Sequence, residues 1–185
     1  MELFAERGFH ACSNADVAEA AGLTRGAMLY HFRTREDLVD AAIDHIQERR
    51  TEAFASAARA VTSGDDLSDQ AIDAYWDLLR LPPFRAFAEL EAVSRTDPAL
   101  ARRLAPAQAA FDHAQIGSDV TGMLQAGSAA RFQTSRDLAR FMLEGLSRAS
   151  LTYQSDERTE RLLTVIKRVT RALNRKGSAQ DLWED

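Results

Sequence analysis

The chain has 185 residues, 45% of them apolar and 28% charged, with a formal net charge of −5 and one cysteine. That length fits one large domain or two small ones with ample core, and a lone cysteine excludes an internal disulfide framework and suits a reducing cytoplasm. No apolar run is long enough to span a bilayer and no signal-peptide pattern opens the chain. The negative balance argues against a non-specific nucleic-acid coat, yet it leaves room for a local DNA-binding face.

Turn and breaker residues divide the chain into helices, and no alternating strand run stands out. Leu3, Phe4 and Phe9 mark the end of a first helix and its exit. Ser13 or Asn14 caps a second helix that ends at Gly22. Thr24 caps a third, running to about Tyr30, and Thr34-Arg35-Glu36-Asp37 reads as a capping box with Asp in place of Glu. That box opens a long fourth helix with Leu38, Val39, Ala42 and Ile46 on one face, stopped by Ser63-Gly64-Asp65-Asp66. A helix from Leu67 to Leu81 ends at Pro82-Pro83, and another follows from Phe84 to Arg95. Asp97 caps the next, with Pro98 at its first position. Pro106 is expected to kink or split that segment, which runs on to about Gln125. Thr134–Tyr153 and Asp156–Lys176 are the closing pair, and a loose tail occupies 177–185.

Residues 13–38 have the spacing of a helix-turn-helix. Ala18 is small where two helices must cross, and Gly22 supplies the turn with a residue free to take positive φ. Met28 lies on the inner face of the second helix, with Val17, Ala21 and Leu23 completing an apolar lining.

The sequence Gly8-Phe9, then Val17-Ala18-Glu19-Ala20-Ala21-Gly22-Leu23-Thr24-Arg25-Gly26-Ala27, then His31-Phe32 and Arg35-Glu36-Asp37-Leu38, resembles the N-terminal domain of TetR-type transcriptional regulators. The match covers roughly residues 3 to 46. It implies an all-α protein: a three-helix DNA-binding domain with a helix-turn-helix (1–46), then a larger helical ligand-binding and dimerisation domain (47–176). Leu29 stands where the family has a tyrosine, and Arg35 where it has a lysine. Met1 falls inside the first helix of the family pattern, so an upstream start or a shortened chain is expected.

A recognition helix enters the major groove N-terminus first, so its first two turns face the base edges. Arg25 is the candidate for a bidentate contact to guanine, Ala27 can touch a thymine methyl, and Gly26 permits close backbone approach. Thr24 can cap the helix and reach a phosphate, while Tyr30, His31 and Arg35 are candidate phosphate clamps. Ser13, Asn14 and Leu29 complete the expected DNA-binding set. Between residues 25 and 35 there are Arg25, Arg33 and Arg35 and no acid. Tyr30 has a second reading, packing against the first helix.

For a small-molecule effector, the resemblance points to Tyr75, Trp76, Leu79, Phe84, Phe87, Glu91, Phe111, Gln115, Phe141 and Met142 around a cavity, although aromatic stripes at helical spacing also make ordinary cores. Leu138, Phe141, Gly145, Leu146, Ala149, Leu162, Leu163, Ile166 and Val169 offer a surface for a homodimer's four-helix bundle, with burial inside one subunit as the other reading. The basic residues between Arg158 and Lys176 are taken as a solvated face.

No glycine-rich phosphate loop and no Gly-x-Ser-x-Gly elbow is present, and His10, His31, His45 and His113 are scattered. No enzymatic activity, metal or cofactor is expected. Cys12 precedes the second helix, whose N-terminus could favour a thiolate, although an inert thiol is the commoner case. The expected function is a cytoplasmic regulator, a repressor that holds a palindromic operator as a dimer and is released by a small molecule. Two other readings stay open: a ligand-independent DNA-binding regulator, and a helical ligand-binding or interaction protein that has lost DNA binding.

Overall fold

The structure, a computed structural model, describes residues 1–61, 67–116, 129–152 and 156–174. The described residues form helices and no strand: α1 (Glu2–Arg7), α2 (Asn14–Ala20), α3 (Arg25–His31), α4 (Arg35–Ala60), α5 (Leu67–Leu78), α6 (Pro82–Ser94), α7 (Pro98–Ile116), α8 (Ala129–Ala149) and α9 (Asp156–Asn174).

Helix boundaries follow the expected caps, with differences that have local causes. α5 stops at Leu78, and Pro82 and Pro83 begin α6 rather than merely ending α5. Proline's fixed φ suits the first turn, where an N–H would have no intrahelical partner. The Asp97 carboxylate caps α7, accepting from the N–H groups of Ala99 and Leu100 at 3.0 Å each. Pro106 does not split that helix, which continues through it to Ile116. α8 is already helical at Ala129, ahead of the expected Thr134. It ends at Ala149, short of the expected Tyr153, and residues 150–152 form a turn. The expected stop at 63–66, the extension to Gln125 and the tail lie outside the described residues.

The chain forms two compact units that do not follow a boundary between residues 46 and 47. Residues Met1–Ala53 and Arg80–Ile116 make the first, so α6 and α7 belong with the N-terminal helices. Its core joins Phe4, Phe9 and Cys12 to Val39, Ile43 and Ile46 of α4 and to Phe87 and Leu90 of α6. Each large apolar side chain among them contributes about 1.5–3 kcal/mol when fully buried. A smaller cluster of Ala18, Met28 and Leu38, with Val17 and Phe32 against it, holds α2 and α3 on the start of α4. Ala21 and Leu23, expected in that lining, are exposed. Ala21 is the last residue of the helical turn, and Gly22 swings Leu23 outward.

Arg50 extends the apolar stripe of α4 by one turn and is buried there. Its guanidinium lies 3.7 Å from the ring centroid of Phe87 and 4.1 Å from that of Phe111, and Nη2 donates to Gln108 Oε1 at 3.3 Å. These contacts offset part of the cost of removing the charge from water.

The second unit contains Phe54–Leu79 and the described residues from 129 onward. Ile72 and Trp76 of α5 pack against Ala139, Leu143 and Leu146 of α8 and Ile166 of α9. Lys167 pairs with Asp73 at 2.6 Å and Arg171 with Asp69 at 3.1 Å, so acids of α5 answer part of the basic face of α9. Leu146 and Ile166, expected on an inter-subunit face, are buried in this unit's own core. Leu163 is half-buried against the same core. Leu138, Phe141, Gly145, Ala149, Leu162 and Val169 remain exposed.

Candidate nucleic-acid interface

The geometry of residues 13–37 is set by four local devices. Ser13 Oγ accepts from the Asp16 N–H at 3.2 Å, and Asp16 Oδ2 accepts from the Ser13 N–H at 2.7 Å, a reciprocal capping box that fixes the start of α2. Those bonds from Ser13 hold the Asp16 carboxyl below its ordinary range. At the other end Gly22 takes φ 66, the Leu23 N–H donates to Ala18 O at 2.9 Å, and the Gly22 N–H donates to Glu19 O at 3.0 Å. This is the Schellman pattern, which ends a helix on a left-handed residue. Thr24 Oγ1 then accepts from the Ala27 N–H at 3.1 Å and starts α3. A further capping box opens α4, with Thr34 Oγ1 accepting from the Asp37 N–H and Asp37 Oδ2 from the Thr34 N–H, both at 3.0 Å.

The outer face of α3 is open. Arg25, Gly26, Ala27, Leu29, Tyr30 and His31 are exposed, while Met28 is turned inward. Tyr30 is 83% exposed, so it does not pack against α1. It meets the His31 ring edge-on at 5.4 Å. Arg25 and Arg33 are both exposed and carry positive charge and hydrogen-bond donors at the surface.

Three residues of the expected contact set are already engaged inside the chain. Ser13 Oγ also donates to Asp16 Oδ2, so its hydroxyl is committed to the cap. The guanidinium of Arg35 points inward: Nη1 donates to Asn14 Oδ1 and Nη2 to Cys12 O, both at 2.9 Å. Asn14 thereby gives its side-chain oxygen to Arg35. Cys12 itself is buried, its Sγ donating to Leu3 O at 3.4 Å, and burial raises its pKa. The helix N-terminus does not yield a thiolate there.

The ten residues expected around an effector are divided between the two units. Phe84, Phe87 and Phe111 gather around Arg50, with Gln115 buried one turn beyond Phe111 and Glu91 half-buried on α6. In the second unit Tyr75 donates its O–H to Glu144 Oε1 at 2.9 Å, Trp76 is core, and Leu79 packs against it. Phe141 and Met142 are exposed. Sequence reasoning missed Arg50 and Glu89. Arg50 sits at the next helical step of the Val39–Ile43–Ile46 stripe, which was a readable signal. Glu89 carries none, because its partner lies 80 residues away.

Residues 1–42 match the sequence model of the family described as "Bacterial regulatory proteins, tetR family". The N-terminal segment is thus similar to the TetR family. The chain is 30% identical over 95 residues to the HTH-type transcriptional regulator CymR of Pseudomonas putida, covering 51% of this chain and 47% of CymR. It is 39% identical over 64 residues to the HTH-type transcriptional regulator TtgR, also of Pseudomonas putida, covering 35% of this chain and 29% of TtgR. The matches thus span less than half the length of these curated relatives. A crystal structure of a TetR-family transcriptional regulator from Rhodococcus sp. superposes with a TM-score of 0.62 at 26% identity, covering 91% of this chain and 93% of that one. A transcriptional regulator from Streptomyces coelicolor A3(2) shares the fold at 22% identity and a TM-score of 0.60, covering 91% of each chain. No helix among the described residues is long and apolar enough to cross a membrane.

Proposed function

We propose that this chain is a transcriptional repressor that binds a palindromic operator as a homodimer and is released by a small molecule. The observation that carries the DNA-binding part is the open N-terminal face of α3. Arg25, Gly26 and Ala27 stand exposed on a helix whose inner side is locked by Met28. Arg25 is the base-reading residue, Thr24 and Tyr30 with His31 are the phosphate contacts, and Arg35 acts as a strut behind α2.

Support for the dimer comes from apolar surface on the last two described helices. Leu138, Phe141 and Met142 of α8, and Leu162, Val165 and Val169 of α9, are exposed at 37–63%. A Cβ built on Gly145 would meet nothing within 4 Å in its own chain, which leaves room for a helix to approach. The dimer would set its two recognition helices about 34–36 Å apart, one turn of DNA.

For the effector, the aromatic groups around Arg50 and those around Trp76 are two separate candidate linings. A ligand preferring a conformation that spoils the helix spacing would depopulate the DNA-competent state. Fluorescence anisotropy against the DNA upstream of its own gene, followed by titration of metabolites for release, tests both parts. Binding that no metabolite reverses would leave a ligand-independent regulator.

A further inference from the structure

We propose that Glu89 of α6 is a positioning residue for DNA recognition, a latch that fixes the corner between α1 and α2 and, through Arg35, the seat of α2. The proposal rests on the DNA-binding reading and deepens it.

Two features of the corner converge on one carboxylate oxygen. Glu89 Oε1 accepts from the Phe9 backbone N–H at 3.2 Å. Gly8, just before it, has φ 82, a left-handed conformation that an L side chain rarely adopts. A Cβ at Gly8 would stand 2.9 Å from the same Oε1. Glycine here therefore supplies both the backbone turn and the space that lets the carboxylate reach the amide. A hydrogen bond to an ionised acceptor in a half-buried setting is stronger than a neutral one.

The latch has a path to the recognition pair. Phe9 is held edge-on against Phe4 at 5.4 Å, and its ring carries the Arg35 guanidinium 5.2 Å from its centroid. Arg35 in turn donates to Cys12 O and to Asn14, the first residue of α2. Glu89, Phe9, Arg35 and Asn14 thus form one contiguous set joining α6 to the entry of the helix-turn-helix. Releasing Glu89 removes the fixed point of the corner without touching the outer face of α3.

The test measures amide hydrogen exchange and duplex binding on the full chain and its variants. In Glu89→Ala, exchange over residues 9–24 rises about tenfold, the size expected for losing a charge-assisted bond, while residues 39–50 of the core keep their protection. Affinity for the specific duplex falls by about three- to tenfold. Glu89→Gln, which keeps an acceptor oxygen but not the charge, regains about half of both on a logarithmic scale. Gly8→Ala reproduces the Glu89→Ala pattern. Unchanged exchange over 9–24 in Glu89→Ala, or faster exchange spread evenly over the whole first unit, overturns the latch. Failure of the unsubstituted chain to prefer any duplex overturns the DNA reading, and with it the role of Glu89 in recognition.

Discussion

Arg35 lies with its guanidinium 5.2 Å from the ring centroid of Phe9, and the two residues tie the start of α4 to the corner between α1 and α2. A side chain expected to grip phosphate instead spends its donors on Cys12 O and Asn14 Oδ1. The helix-turn-helix is therefore held from behind as well as by its own small core of Ala18, Met28 and Leu38.

Arg35→Ala should lower the unfolding free energy by about 1–3 kcal/mol, the range for losing hydrogen bonds from a charged group. Arg35→Lys should recover little of it, because a single ammonium cannot reproduce the planar fork. Urea denaturation of the two variants checks this. Stability equal to the unsubstituted chain in Arg35→Ala would show that the side chain is no strut.

Arg25 and Tyr30 should behave in the opposite way. Both are exposed, so Arg25→Ala and Tyr30→Ala should leave stability within about 0.5 kcal/mol. Arg25→Ala should cost about 1–3 kcal/mol on the specific duplex and much less on a random one. Tyr30→Ala should weaken both duplexes alike. Proportional losses on both for Arg25→Ala would remove its base-reading role.

The sequence made the helix-turn-helix legible because its signals are local. Ser13 with Asp16, Gly22, and Thr24 each act within four residues, and each cap stands where its residue type demands. Leu23 shows the limit: its apolarity suggested an inner position, but the turn at Gly22 decides its direction. Arg35 and Glu89 were unreadable in role, since their partners lie 21–80 residues away and only the packing of α4 and α6 on α1 brings them close. In the same way, spacing alone does not distinguish Leu146 and Ile166, which are core, from Leu138 and Val169, which are exposed.

Cys12 should resist alkylation in the folded chain at neutral pH. Its pKa is raised above the ordinary value of 9.0, chiefly by burial. A raised folded pKa means that its contribution to stability is complete below that ordinary value and is lost as pH rises through the folded one. The rate of modification by iodoacetamide should follow the population of opened molecules and climb with added urea. Rapid, stoichiometric labelling of the native chain at pH 7 would contradict the buried thiol.

Phe141 and Gly145 test the assembly. Phe141→Asp and Gly145→Trp alter exposed positions of α8, so each subunit should keep its helical content. Both should shift the sedimentation of the chain from dimer to monomer and abolish tight operator binding, since half of a palindrome gives only half the contacts. Monomer sedimentation of the unsubstituted chain at operator-saturating concentrations would exclude the dimer.

The exposed face of α3 is the proposed reader of DNA sequence. Fluorescence anisotropy of the unsubstituted chain on the DNA upstream of its own gene, against a random duplex of equal length across a salt series, tests it most directly. The expected result is at least about a thousandfold preference for the specific duplex, with affinity falling linearly in log–log form as salt rises. Equal affinity for the two duplexes, or no binding at low salt to any duplex, would contradict it.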